Sequence, residues 1–181
     1  MPIRPMGPCQ VLVIKRDLTT FTIPKTHGGV RWTETEAKAE IKFDQTGTVP
    51  ADKMSQGHAN VVEIPVGVMD FSVLTFVDPS VFLVVDAINP NKFYIFRAYR
   101  IGGLDSEILV ELQLTQYKAG KPSADPQDTI IFTAAAPQVA ADEMFNADTQ
   151  RAYKYTFFCY QDLRRADLAV WILGDASATP A

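Results

Sequence analysis

Ala37, Ala39, Ile41 and Phe43 alternate with Lys38, Glu40 and Lys42. Successive side chains on a strand point to opposite faces, so this run predicts a strand with one small-to-apolar face and one charged face. A return run over residues 56–64 alternates less strictly, because Val61, Val62 and Ile64 make it more apolar. Gly47, Pro50, Asp52 and Gly57 lie between the two and are turn formers. The pattern predicts a long antiparallel hairpin over residues 30–64. Its tip is oversized: Asp44, Gln45, Thr46, Gly47, Thr48, Val49, Pro50, Ala51, Asp52, Lys53, Met54 and Ser55. Hairpin loops usually hold two to five residues, and longer ones tend to be functional or disordered. Two readings follow for this tip: an unconstrained surface loop, or an arm that reaches a neighbouring subunit. The seven residues 37–43 span roughly 23 Å at about 3.3 Å each, enough to stand clear of a small body. Val30 and Trp32 are out of phase with the later apolar positions, which predicts a β-bulge at residues 34–36.

After the hairpin, Val66, Met69, Val73, Phe76 and Val77 fall at helical spacing, with Pro65 in front and Pro79 behind. Proline suits a first helical position and stops a helix from beyond its end, so residues 65–77 read as a helix. The other periodic runs read as strands: residues 10–15, 81–88, 92–101, 108–117, 129–133, 152–161 and 169–173. In the fourth of these, Ile108, Val110, Leu112 and Leu114 face one way and Glu111, Gln113 and Thr115 the other. In the sixth, Tyr153, Tyr155, Phe157 and Cys159 oppose Lys154 and Thr156. Residues 1–8, 21–29, 118–128 and 174–181 read as irregular. So do residues 137–151, with one helical turn at 140–145. The predicted fold class is all-β with one helix: a single antiparallel β-sandwich or barrel-like domain over residues 1–181, carrying a flanking α-helix and a protruding hairpin.

Length and composition fit that picture. A chain of 181 residues makes one domain and buries about 70% of its unfolded surface, so it needs no staples. A net charge of −4 argues against a surface that grips nucleic acid, which is normally basic. It leaves room for a surface past which DNA slides. Cys9 and Cys159 are far apart and define neither a metal spacing nor a redox pair, which fits a reducing compartment. Cys159 lies in an aromatic strand and reads as a buried thiol. Cys9 falls near an irregular terminus. The start lacks an apolar stretch of signal-peptide type, and apolar runs such as 81–85 are far too short to cross a membrane.

Candidate chemistry is sparse. Neither Gly28-Gly29 nor Gly102-Gly103 is followed by the Lys-Ser/Thr of a phosphate loop. His27 and His58 each adjoin a glycine, and no carboxylate stands at a ligand spacing with both. Ser72 and Ser80 lack a nucleophile-elbow context. Asp142, Glu143 and Asp148 do not follow the calcium-loop pattern and read as a solvated acidic loop. Arg164-Arg165 reads as an exposed turn before the last strand. Tyr153, Tyr155, Phe157, Phe158 and Tyr160 have too few interleaved basic residues for a stacking platform. No catalytic, cofactor or metal site is expected, and an enzyme is the least supported class.

The order of features resembles phage tail tube proteins. The resemblance rests on Gly29-Val30 with Trp32, on residues 42–52, on Gly57-His58-Ala59-Asn60-Val61, and on the expected helix after Pro65. Residues 148–153, Phe157, Asp162 and Leu173-Gly174-Asp175 look like the closing strands of similar tail proteins. Tube proteins of contractile injection systems are similar in fold. The resemblance implies a virion structural protein, assembled in the host cytoplasm. Six copies would form a ring, with hairpin sheets joining into a barrel around a lumen. Rings would stack into a tube through which the genome passes without specific binding. Other tail proteins would be partners, and no membrane would be involved. Residues 44–55 would then contact the stacked ring, and Lys38, Glu40 and Lys42 would face the lumen. This charged face is mixed rather than uniformly acidic.

Two alternatives compete. One is a tail-completion or baseplate ring protein of the same fold, and the other is a β-barrel binding a small ligand. Isolated histidines and cysteines lead to a simple expectation: chelator-treated protein should hold no stoichiometric metal. Elemental analysis checks this, and one bound transition metal per chain would overturn it.

Overall fold

The computed structural model describes residues 8–23, 26, 29–41, 52–66, 75–76, 81–97, 104–140 and 153–175. Eleven strands are present among them. They are β1 (Cys9–Ile14), β2 (Thr20–Ile23), β3 (Arg31–Ile41), β4 (Asp52–Val66), β5 (Val81–Val85) and β6 (Phe93–Arg97). β7 (Val110–Lys118), β8 (Lys121–Pro122), β9 (Thr129–Ala140), β10 (Tyr153–Cys159) and β11 (Ile172–Leu173) follow. All pairings are antiparallel, and the fold is all-β. The main sheet runs β2-β1-β7-β9-β10-β4-β3, with β8 added to β7 and β11 to β9. β5 and β6 form a separate two-stranded sheet.

The two terminal strands of the main sheet, β2 and β3, are consecutive in the chain. β2 pairs with β1, whereas β3, further along the same stretch of chain, pairs with β4 at the far end of the sheet. Thr26, between them, already bridges to Val66 of β4. The covalent chain therefore joins the two ends of the path β1-β7-β9-β10-β4.

Period-two alternation fills the interior. Val11 and Val13 of β1 enter it, as do Val62, Ile64 and Val66 of β4, Val110, Leu112 and Leu114 of β7, and Tyr155, Phe157 and Cys159 of β10. Phe132 of β9 lies among them and is fully buried. Each such side chain contributes about 1.5–3 kcal/mol relative to exposure. The expected in-and-out assignments of β7 and β10 match this burial. β9 is buried from Ile131 through Pro137, as suits a strand with neighbours along both edges.

Several expectations are corrected, and proline accounts for two of them. Pro65 does not open a helix: Pro65 and Val66 end β4, opposite Lys154 and Tyr153. Thr75 and Phe76 have helical backbone, and the rest of the expected helix lies outside the described residues. Pro137 does not begin an irregular segment. It sits inside β9 opposite Phe157, and β9 continues to Ala140. Among the described residues, only one edge carries a ladder in both places: β3 stops at Arg31↔Glu63, beyond which Thr26 makes a single bridge to Val66, and β7 stops at Val110↔Ala135. A residue without an N–H is tolerated where one edge needs no bond. β2 occupies part of the expected loop 21–29. The expected loop 118–128 contains a two-residue turn, Ala119-Gly120, joining β7 to β8. Both residues have positive φ, the geometry that matches strand twist in a hairpin. Residues 141–152, including Asp142, Glu143 and Asp148, lie outside the described residues.

Phe132 tests the shared core. Phe132→Ala should cost about 3–5 kcal/mol in urea unfolding, through lost transfer energy and an unfilled cavity. A loss below about 1 kcal/mol would show that the ring does not occupy the shared interior.

Candidate functional site: a ribbon and the groove at its root

The hairpin leaves the body as a two-stranded ribbon. β10 covers β4 only from Val66 to Asn60. Among the described residues, β4 from Asp52 to Ala59 pairs with β3 alone, opposite Thr35 to Ile41. Those eight β4 residues reach roughly 26 Å at about 3.3 Å each. A two-stranded ribbon is marginal by itself in water.

Trp32 marks the root. Its ring packs edge-on against Phe132, with centroids 5.5 Å apart, and against Trp171 at 5.2 Å. Its indole N–H donates to Oδ1 of buried Asn60 at 3.0 Å. Beyond Trp32 the same face of β3 carries Glu34, Glu36 and Lys38, all exposed. The opposite face carries Thr33, Thr35 and Ala37. The change of hydrophobic phase along β3 is therefore not a bulge at residues 34–36. It marks where the core-side face passes into solvent. The bulge lies on the partner strand: Ala37 opposes Gly57, Lys38 opposes Ser55, and Gln56 is the extra residue. Gly57 has φ +126°, which glycine tolerates best.

The structure divides the expected site residues. Lys38 is exposed and pairs with Glu36 at 2.9 Å. Glu40 pairs through its backbone with Lys53. Asp52, Lys53, Met54 and Ser55 belong not to a loop but to β4, opposite residues 38–41. Lys42, Asp44, Gln45, Thr46, Gly47, Thr48, Val49, Pro50 and Ala51 lie outside the described residues. Their turn-former composition hid the continuation of β4, because Asp, Lys and Ser have low strand propensity. His58 lies on the exposed ribbon, with Nδ1 3.2 Å from Glu34 Oε1. His27 lies outside the described residues.

A groove of about 530 Å³ opens at the ribbon root, between Glu34, Gly57, His58 and Asn60 on one side and residues from 159 to 171 on the other. Sequence reasoning missed its far wall. Tyr160 leaves β4 and donates its N–H to Ala134 O at 2.8 Å. Its hydroxyl donates to Asp105 Oδ2 at 2.6 Å, and burial together with this carboxylate pushes the phenol up to about 12. The arginine doublet braces the segment that follows. Arg164 grips the buried Asp162 carboxylate through Nε and Nη2, both at 2.8 Å, and Nη2 also donates to Thr133 O at 3.1 Å. Arg165 forks onto Asp167 at 2.9 and 2.7 Å, holding that carboxyl down at about 2. The signal was available as an Asp two residues from each Arg. The braced segment presents Leu163, 82% exposed, and Leu168 and Trp171, each exposed. Cys159, at the groove floor, is a free thiol pushed up to about 12 by burial and so is not nucleophilic. Cys9 is a part-buried residue at the start of β1.

Comparisons with known proteins add little. The sequence matches no family model and no curated relative. The structure is similar to a chain of the anti-feeding prophage baseplate at 10% identity and TM-score 0.43, covering 87% of this chain and 93% of that one. It is also similar to a chain of the anti-feeding prophage tube-terminating cap, at 12% identity and TM-score 0.46, covering 87% and 89%.

Hydrogen bonds from Arg164 depress the Asp162 pKa. A depressed carboxylate stabilises the fold above its unfolded pKa of about 3.9, and that contribution is lost as pH falls through the lower folded value. Arg164→Ala removes the donors and leaves the buried carboxylate with less support. Its melting temperature should fall at pH 7, and acid unfolding should begin at higher pH than in the wild type. Thermal melts from pH 7 to pH 3 check this; superimposable acid limbs would show that the pair is not coupled to folding.

Proposed function

We propose that the protein is a structural self-assembly subunit, most specifically a phage tail tube subunit that forms rings stacking into a tube. The observation that carries this reading is the ribbon of β3 and β4. It extends beyond the core with free backbone edges among the described residues, a charged face and a face of small residues. An edge of this kind is a template for pairing with another chain, and head-to-tail copies close into a ring when the rotation allows. In this reading Lys38, Glu40 and Lys42 line the lumen. Residues 44–51 meet the next ring, and Asp52, Lys53, Met54 and Ser55 support them from β4. DNA passes without specific binding, and neither catalysis nor a cofactor has a role. A tail-completion or baseplate ring subunit is the second reading, since the same ribbon serves a single ring equally well. The ligand-barrel alternative is disfavoured because Tyr155, Phe132 and Phe157 occupy the interior themselves.

The ten residues 42–51 offer a test. Replacing them with Asn-Gly should leave the ribbon intact, because that dipeptide suits a two-residue turn between Ile41 and Asp52. Stability should stay near normal, since each halving of a flexible loop changes closure entropy by only about 0.6 kcal/mol. Rings should form and stacking should fail, as seen by negative-stain microscopy beside the wild type. Full-length tubes from the variant would remove the stacking role. A wild-type chain that stays monomeric at all concentrations, even with tail initiator proteins, would remove the assembly reading.

A further inference from the structure

Asn60 is 3% exposed and lines the groove at the ribbon root. Its carbonyl end is taken, because Trp32 Nε1 donates to Oδ1 at 3.0 Å. An indole N–H only donates, so the atom it meets must be the oxygen, and the amide is held one way round. The other end, Nδ2, carries two donor hydrogens and has no partner among the described residues. A donor this deeply buried is costly to leave unpaired. Beside it the groove has an apolar wall of Leu163, Val170 and Trp171. That wall is stiff before anything binds: Trp171 packs edge-on against Trp32, and the Asp162–Arg164 and Arg165–Asp167 forks hold the segment around Leu163. A volume of about 530 Å³, largely apolar with a few placed polar groups, suits a small ligand.

We infer that the groove is a binding site for a neutral carbonyl compound with a branched aliphatic body. The carbonyl oxygen accepts from Asn60 Nδ2, and the body lies on Leu163, Val170 and Trp171. A free amide and an apolar peptide residue both present this chemistry. Three features set the class. Asn60 Nδ2 needs an acceptor, so a ligand with donors alone leaves it unpaired. The Glu34 carboxylate on the opposite wall repels an anionic acceptor, so a neutral carbonyl is preferred to a carboxylate. Leu163, 82% exposed, is covered by an aliphatic body and gains from leaving water. Because the wall is already held in place, little ordering is lost on binding. The site is complete within one chain and does not depend on assembly.

Both tryptophans of the chain, Trp32 and Trp171, belong to this site, so intrinsic fluorescence reports on it directly. The probe is N-acetylleucine amide, titrated into the full-length chain at pH 7. A saturable change in emission is expected, with half-saturation at roughly millimolar concentration for a fragment of this size. 3-Methylbutylammonium keeps a branched body but has no acceptor, and should bind about tenfold more weakly or worse. N-acetylleucine, an anion, should also bind more weakly than the amide. A capped Ala-Leu-Ala peptide separates the sources: tighter binding than the free amide marks a peptide residue as the occupant, and weaker binding marks a small free amide. Asn60→Asp keeps an oxygen for the Trp32 N–H and removes the donors, so affinity for the amide should fall about tenfold or more. Since that change buries a carboxylate, Leu163→Ser serves as the second variant. Its melting temperature should hold, and affinity should fall severalfold. Leu18→Ser, at an exposed leucine outside the groove, should bind as the wild type does. No saturable change up to the solubility limit of the amide would overturn the site, leaving Asn60 Nδ2 to water alone. An ammonium response equal to or stronger than that of the amide, or binding unchanged in both groove variants, would overturn it too.

Discussion

Everything else in the fold depends on one change of partner. The chain from Thr20 to Ile41 begins as the neighbour of β1 and ends as the neighbour of β4. That switch ties together the two ends of the main sheet, and Thr26 bridges to Val66 on the way. Side chains from six strands then point into one shared interior. Without β2 and β3, β1 and β4 would each expose an edge. Trp32 stands just past the switch. It joins the interior through Phe132 and the surface through Trp171, while its N–H satisfies buried Asn60.

The same switch creates the ribbon. Once the chain has left β1, β3 has β4 alone among the described residues, and beyond Asn60 β4 has β3 alone among them. Polarity follows geometry here. The face that holds Trp32 and Val62 inside the body holds Glu34, Glu36, His58 and Lys38 outside it. A monomer gains little from a ribbon of this length, because its own core does not touch it. The body meanwhile spends two arginine–aspartate forks on holding a short surface segment stiff beside the ribbon root. Rigid apolar side chains next to an open strand edge suit recognition better than they suit the stability of a lone chain.

Much of this was legible in the sequence. The alternations in β7 and β10 gave the buried faces directly, because a half-buried strand must alternate. The hairpin was visible for the same reason, and Cys159 was identified as buried from its aromatic neighbours. Misreadings occurred where a residue's local preference met a one-sided edge. Pro65 and Pro137 looked like breaks, yet each lies in a strand beyond the point where its second neighbour has ended. Asp52, Lys53 and Ser55 looked like loop, yet cross-strand bonds to β3 hold them extended. The arginine doublet looked like a solvated turn, because nothing local to it announces that Thr133 lies within reach of Arg164.

The sequence by itself determined the all-β class, the alternating faces and the hairpin. These follow from period-two patterning and from residue chemistry, which act over a few positions. Only the tertiary structure decided which strands form the two ends of the sheet, where the ribbon leaves the body and what walls the groove. Those features depend on which distant strand supplies the second edge, and a hydrogen-bonding edge is the same backbone whatever residues lie along it.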